Sequence, residues 1–212
     1  TEGPELFGLH DNAHISCAIS ETNMLLSSAL SLQPRSGAGG AGKSHEDTIG
    51  AIATDVEERL PAQFDIEKAL IDFPVRYEES MNTVLTQELL RFNRLTATMK
   101  RSLDDLRRAI KGLVLMSADL EAMGRSVALG RVPLVWSSVA YPSLKPCGPW
   151  VADLLKRLAF FQAWQSAGTA PNTYWISGFF FTQAFITGTL QNYARKHQLP
   201  IDTVAFDHAV LR

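Results

Sequence analysis

Apolar residues recur every three or four positions through the middle of this chain: Met81, Leu85, Leu89, Phe92, Leu95, Met99, Leu103, Leu106, Ile110 and Leu113. Charged residues fall elsewhere, among them Arg91, Arg94, Lys100, Asp104, Arg107 and Lys111. That spacing predicts an amphipathic helix with one stripe turned to a core. The pattern goes on through Met116, Leu120, Met123 and Val127, with Gly112 and Gly124 as its weak points. Runs beyond ~25 residues indicate a long packed helix or a helical repeat. The glycines and the mixed stripe favour packing inside a bundle over a coiled coil. Glu78 and Glu79 read as the start of the helix, where its dipole favours negative charge.

The flanks read as shorter helices. Pro4 to His14 is a turn-rich opening, and Asp11-Asn12 within it reads as a turn. Ser20 then caps a helix whose Met24, Leu25, Ser28, Ala29 and Leu32 share a face before Pro34 ends it. Residues 34–48 form a flexible Gly/Ala-rich insert, its core at Arg35 to Ser44 without apolar period. Helices follow over His45 to Arg59, stopped by Pro61, and over Glu67 to Asp72, stopped by Pro74. Between Gly130 and Pro149 four prolines forbid a continuous helix, and Trp136, Tyr141 and Leu144 are expected to anchor this crossing segment by burial. Trp150 to Gln165 is helical again, with Val151, Leu154, Leu155, Leu158, Phe161 and Trp164 on its apolar side. A Phe-rich helix is predicted from about Ile176 to Lys196; Pro200-Ile201-Asp202 closes it and leads into a last short element, Thr203 to Arg212. No strand alternation stands out. The expected fold class is mainly α: a multi-helix layer or bundle with one or more long helices and a Pro-rich crossing segment.

Composition narrows the function. At 212 residues, 46% of them apolar and 20% charged, the chain suits one sizeable domain or two small ones. A net charge of −2 gives no electrostatic case for nucleic acid. Cys17 and Cys147 lie far apart and form no spaced motif, so an intracellular, reducing setting is the simpler reading. No signal sequence is legible in Thr1-Glu2-Gly3-Pro4, and without an initiating Met the chain reads as a piece of something longer.

From Leu158 to Ala194 no Asp, Glu, Lys, Arg or His occurs, and Ser177-Gly178-Phe179-Phe180-Phe181-Thr182-Gln183-Ala184-Phe185 sits inside that run. A membrane helix would need ~20 consecutive apolar residues; Ser177, Thr182, Gln183 and Thr187 interrupt this one. No membrane partner is expected. Exposed, so much aromatic surface would invite association. The expected packing or interface residues are therefore Phe179, Phe180, Phe181, Phe185, Trp175 and Tyr193.

Gly37-Ala38-Gly39-Gly40-Ala41-Gly42-Lys43-Ser44 has the phosphate-loop spelling, in which Lys43 would meet the outer phosphates and Ser44 would hold Mg²⁺. A working loop follows a buried strand, and the residues before this one read as helix. Ala69-Leu70-Ile71-Asp72 is a weak substitute for the metal-holding strand. The linker reading is preferred, with a nucleotide-binding protein using Gly37–Ser44 as one alternative and a helical docking scaffold as another. His10 and His14 stand four apart without a third ligand nearby, so no metal site is expected. Neither paired carboxylates nor a Ser/His/Asp arrangement is defensible from spacing, so no catalytic residue is assigned.

Several stretches together resemble the carboxy-terminal region of dynein heavy chains, of the axonemal type. They are Glu5 to Ala13, Phe73 to Leu85 with Gln87-Glu88 and Arg91-Phe92-Asn93, Ala109 to Val114 with Met116-Ser117, Tyr141 to Pro146, and Ser177 to Phe185 continuing through Gln191 to Lys196 and Pro200-Ile201-Asp202. They run in order along nearly the whole chain, residues 1–212, and the Gly/Ala insert falls where the family varies in length. His14 departs from the acidic or amide residue expected there. The Glu79-Ser80-Met81-Asn82-Thr83-Val84-Leu85 block leans toward an inner-arm type. The resemblance implies the helical portion of a motor subunit built on a ring of six AAA+ modules, lacking the β-rich cap of longer family members. It implies ring modules and the cap as partners, with microtubules and other dynein chains as partners of the parent protein. ATP and Mg²⁺ would serve the parent upstream, with no cofactor in this segment. The implied setting is cytoplasm and cytoskeleton, in the axoneme of a cilium or flagellum.

Overall fold

A computed structural model describes residues 11–32 and 45–207. The chain divides into two units, residues 1–41 with 205–212 and residues 42–204. In the first unit, α1 spans Asp11–Leu32. It begins nine residues before the expected Ser20 cap, because Asp11 and Asn12 favour helix starts as much as turns and neither Gly nor Pro occurs between them and Leu32.

The second unit is built around one long helix. Its elements are α2 (His45–Arg59), α3 (Ile66–Asp72), α4 (Ser80–Ile110), α5 (Ala118–Ala128), α6 (Leu134–Ser137), α7 (Cys147–Ala167) and α8 (Thr182–His197), with single 3₁₀ turns at Ile176–Gly178 and Ile201–Thr203. Among the described residues there is no strand, only an isolated bridge between Arg76 and Glu79. The mainly α expectation holds.

At 31 residues α4 runs for about 46 Å and touches α2, α3, α5, α6, α7 and α8. Its stripe of Met81, Leu85, Leu89, Phe92, Leu95, Met99, Leu103 and Leu106 is buried throughout. On one side Ile49, Ala53 and Val56 of α2, with Leu60 just beyond its end, complete the core. Side chains pin the connections to this axle. Asn93 accepts from the Phe64 N–H and donates to the Phe64 carbonyl, both at 2.8 Å, and Lys100 reaches the Pro61 carbonyl at 2.7 Å.

The axle stops where the sequence weakens first. Gly112 takes φ +70°, and the Leu113 N–H returns to the Arg108 carbonyl at 2.9 Å, a closing bond that needs a left-handed residue between. Leu113 to Met116, expected to continue the stripe, are therefore an exposed loop. Gly124 breaks nothing: it lies buried in α5, facing Leu106 and Ile49. In the crossing segment Trp136 and Tyr141 are buried as expected, but Leu144 is fully exposed. Trp136 stacks on Trp150 and its indole N–H donates to Ser102 at 2.8 Å, so two aromatic anchors suffice.

The Phe-rich helix also starts later than its composition suggests. Phe179 has ψ 146° and Phe181 ψ 87°, outside helical values, and α8 begins only at Thr182. After α8 one 3₁₀ turn at Ile201–Thr203 gives way to extended Val204, and the end of the expected last element, residues 208–212, lies outside the described residues. The Gly37–Ser44 tract and His10 lie outside the described residues, as does the side chain of His14. The element before the tract is α1, not a strand.

Candidate functional site: a clamped aromatic seam

Phe179, Phe180 and Phe181 form a short non-helical bend between a 3₁₀ turn and α8, and their rings meet different neighbours. Phe179 is buried, with Phe185 at 4.7 Å and Phe161 at 5.3 Å between ring centroids. Phe180, half-buried, meets Phe92 edge-on at 5.5 Å and Tyr141 at 5.7 Å. Phe181 is 50% exposed, with the Arg91 guanidinium 5.2 Å over its ring. Such offset and edge-on pairs each add ~0.5–1.5 kcal/mol beyond area burial. Of the other expected contact residues, Phe185 is buried, Trp175 is half-buried and Tyr193 is 50% exposed, its ring 4.3 Å from that of His197.

A non-helical segment inside a helical core leaves its backbone polar groups without helical partners. Two charged side chains from different helices supply them. Glu88, fully buried on α4, accepts from the N–H of Phe180 and, at 3.1 Å, from the N–H of Phe181. This carboxylate therefore lies at the N-terminus of α8, where the helix dipole favours it. Arg91 pairs with it at 3.0 Å. Burial raises the Glu88 pKa above its usual 4.5, although both N–H groups and Arg91 pull the other way.

From α7, Arg157 donates to the Phe179 carbonyl at 3.3 Å. Its guanidinium lies 3.9 Å over the Tyr141 ring and 5.4 Å over that of Trp175. The Arg157 Nε–H donates to Asp153 Oδ2 at 2.7 Å, Lys145 reaches Oδ1 at 2.7 Å, and the Tyr141 hydroxyl donates to Oδ2 at 3.2 Å. Burial works against a charged Asp153, but hydrogen bonds from Lys145 and Arg157 outweigh it and hold its pKa below the usual value. Burial is also the first cause of the raised Tyr141 pKa, so this hydroxyl stays a donor.

Gly178 completes the turn: a Cβ there would stand 2.6 Å from Trp175 Cε3, so the ring covers the backbone only because nothing projects from it. At the far end of the seam, Arg195 of α8 donates to the Tyr77 carbonyl and to Ser80 Oγ, joining α8 to the start of α4. Asn192 accepts from the Ser80 N–H at 2.7 Å and donates to Glu79, whose Oε1 also takes the Met81 N–H and so caps α4.

The sequence located the rings and missed the clamp. Its signals were present: Glu88 interrupts the apolar stripe between Leu85 and Leu89, and Asp153 and Arg157 stand four apart immediately before the charge-free run. Among the described residues no group of three or more His, Cys, Asp or Glu could hold a metal ion, and no helix is long and apolar enough to cross a membrane.

Fold and seam together define an all-α segment locked by a charged clamp around an aromatic interior. The protein belongs to the C-terminal domain family of dynein heavy chains, whose pattern matches residues 19–212. It is 53% identical over 210 residues to dynein axonemal heavy chain 3 of Homo sapiens, covering 99% of this chain and 5% of that protein. Identity is 50% over 208 residues to dynein axonemal heavy chain 1 of Rattus norvegicus, or 98% of this chain and 5% of that protein. Against dynein axonemal heavy chain 12 of Mus musculus it is 48% over 211 residues, 100% of this chain and 7% of that protein. The chain thus spans about a twentieth of the length of the relatives it matches.

Proposed function

We propose that this segment is a non-catalytic structural and regulatory part of an axonemal dynein microtubule motor, packing on the AAA+ ring of its own heavy chain and tuning ATP-driven motility. One observation carries the reading: Phe181 is half-exposed while its backbone N–H is fixed by buried Glu88. Most of the seam is spent inside the segment, and this ring stands at its surface with its backbone anchored and Arg91 over its face. A rigid aromatic is the kind of side chain that dominates protein contacts, because little entropy is lost when it docks. ATP and Mg²⁺ belong on this reading to modules elsewhere in the heavy chain, microtubules and other dynein chains are partners of the whole motor, and the setting is the axoneme of a cilium or flagellum.

The test is Phe181→Asp in the full-length heavy chain that carries this segment. Gliding velocity on microtubules should change while Mg-ATP binding is retained. Unchanged velocity in a protein of unchanged stability would defeat the proposal. Titration of this chain alone with Mg-ATP is expected to release no binding heat. Affinity that Lys43→Ala abolishes would favour the nucleotide-binding alternative instead.

A further inference from the structure

We propose that the groove between the start of α4 and α8 binds an extended acidic peptide, whose carboxylates are taken by Arg195 and Arg76. The groove encloses about 530 Å³, within the usual size range of ligand pockets. Val84, Ala184 and Gly188 contribute apolar surface to it. Gly188 lets the helices approach closely, since a Cβ there would lie 3.1 Å from Val84 Cγ2.

Its charged end is preorganised. Arg195 stacks 4.2 Å over the Tyr77 ring, and one nitrogen, Nη1, makes both bonds, to the Tyr77 carbonyl and Ser80 Oγ. The Nε–H and Nη2–H groups, the two that form the side edge of the planar fork, have no acceptor among the described residues. That edge matches a carboxylate bidentately, and its rotamer entropy is already spent by the Tyr77 bond and stack. Arg76 lines the same groove, exposed and without a side-chain partner among the described residues.

Charge and hydrogen-bonding capacity favour a peptide over a small anion. No Asp or Glu lines the groove. Glu79, three residues from Arg76, is not among the lining residues, and its Oε1 is taken by Asn192 and the Met81 N–H. Along the walls, the amides of Gln87 and Gln183 are exposed and uncommitted. A primary amide offers both a donor and an acceptor, which is what an extended backbone requires. Phe181, on which the proposed function rests, also lines this groove, but the binding chemistry sits at Arg76 and Arg195, and peptide binding by this chain is read independently of motor velocity.

The test is fluorescence anisotropy on the full chain with a labelled peptide of alternating leucine and glutamate, and its leucine–glutamine counterpart. The glutamate peptide should bind, and more weakly as salt rises. Arg76→Gln should weaken it about three- to fivefold, the scale of an exposed pair. Arg195→Lys should weaken it about tenfold through loss of the fork. The Arg76 side chain makes no hydrogen bond or ion pair among the described residues, so its variant should melt with the parent and remains informative if Arg195→Lys loosens the chain. The proposal is overturned by no binding, by equal binding of the two peptides, or by affinity indifferent to Arg76→Gln. Displacement by inorganic phosphate at matched ionic strength would show a plain anion site and overturn it too, as would a dimer of this chain that buries the groove.

Discussion

The Phe181 N–H points at a carboxylate 93 residues earlier in the chain, that of Glu88, at 3.1 Å. This bond and its neighbour to Phe180 tie the middle of the long helix to the first residues before α8. Without them, a non-helical aromatic stretch in a helical core would hold donors with no acceptor.

Glu88→Gln should therefore destabilise the segment by roughly 1–3 kcal/mol, since the amide can accept one of the two N–H groups while turning its own donors toward the other. Glu88→Ala should cost at least as much. Urea denaturation followed by tryptophan fluorescence measures both. A Glu88→Gln variant as stable as the parent would show that the two backbone bonds contribute nothing.

The same carboxylate gives an unusual pH response. Burial raises the Glu88 pKa in the folded state above 4.5, so the folded state binds this proton more readily than the unfolded state does. Stability from this group must rise as pH falls from neutral, through its folded pKa, toward 4.5, and must be flat above the folded value. Asp153 has the opposite sign. Its folded pKa lies below 3.8, so its contribution is intact above that value and is lost only as pH drops beneath it. Stability measured across mildly acidic pH should show the parent gaining on Glu88→Gln as pH falls. Parallel curves for the two would contradict the burial of this carboxylate.

Phe179 and Phe181 should respond differently although they are two residues apart. Phe179→Ala removes a ring that is 2% exposed and should cost about 3–5 kcal/mol. Phe181→Asp replaces a half-exposed ring and should cost the isolated chain about 1 kcal/mol or less, an effect of surface size. Thermal melts of the two variants check the contrast. A collapse of the fold with Phe181→Asp would place that ring among the internal supports.

The difference between these rings marks what the sequence could and could not convey. Spacing alone located α4 and α7, because a buried stripe leaves a period of three to four in the residues that must avoid water. Glu79 as the start of α4 was likewise legible from charge. The break before Thr182 was not: Ser177 to Phe185 is apolar enough for a helix, and what holds Phe179 to Phe181 out of it are Glu88 and Arg157, which no local pattern connects to them. Leu113 to Met116 misled for a related reason. Their spacing continues the stripe, but the left-handed Gly112 turns the chain before they reach the core. Local periodicity records which residues could be buried, and tertiary partners decide which are.

Gly178→Ala should destabilise the segment by about 1–3 kcal/mol. The added methyl would stand 2.6 Å from Trp175, so the indole must leave its place beside Arg157. Trp175 fluorescence should change with the loss of stability, and an unchanged melt would mean that the ring swings aside at no cost.

The end of α8 offers the reverse change. Gln198 has φ 52° and ψ 39°, a left-handed conformation that glycine adopts without a Cβ penalty. The Leu199 N–H closes the helix on the Ala194 carbonyl at 2.9 Å, as the analogous bond does after Gly112. That closing bond does not require the glutamine side chain, which makes no hydrogen bond among the described residues. Gln198→Gly should accordingly stabilise the segment by up to ~1 kcal/mol, after allowing for the larger entropy of glycine in the unfolded state. A rise in melting temperature is the expected readout. A fall would mean that the unfolded-state entropy of glycine outweighs the relief at this position.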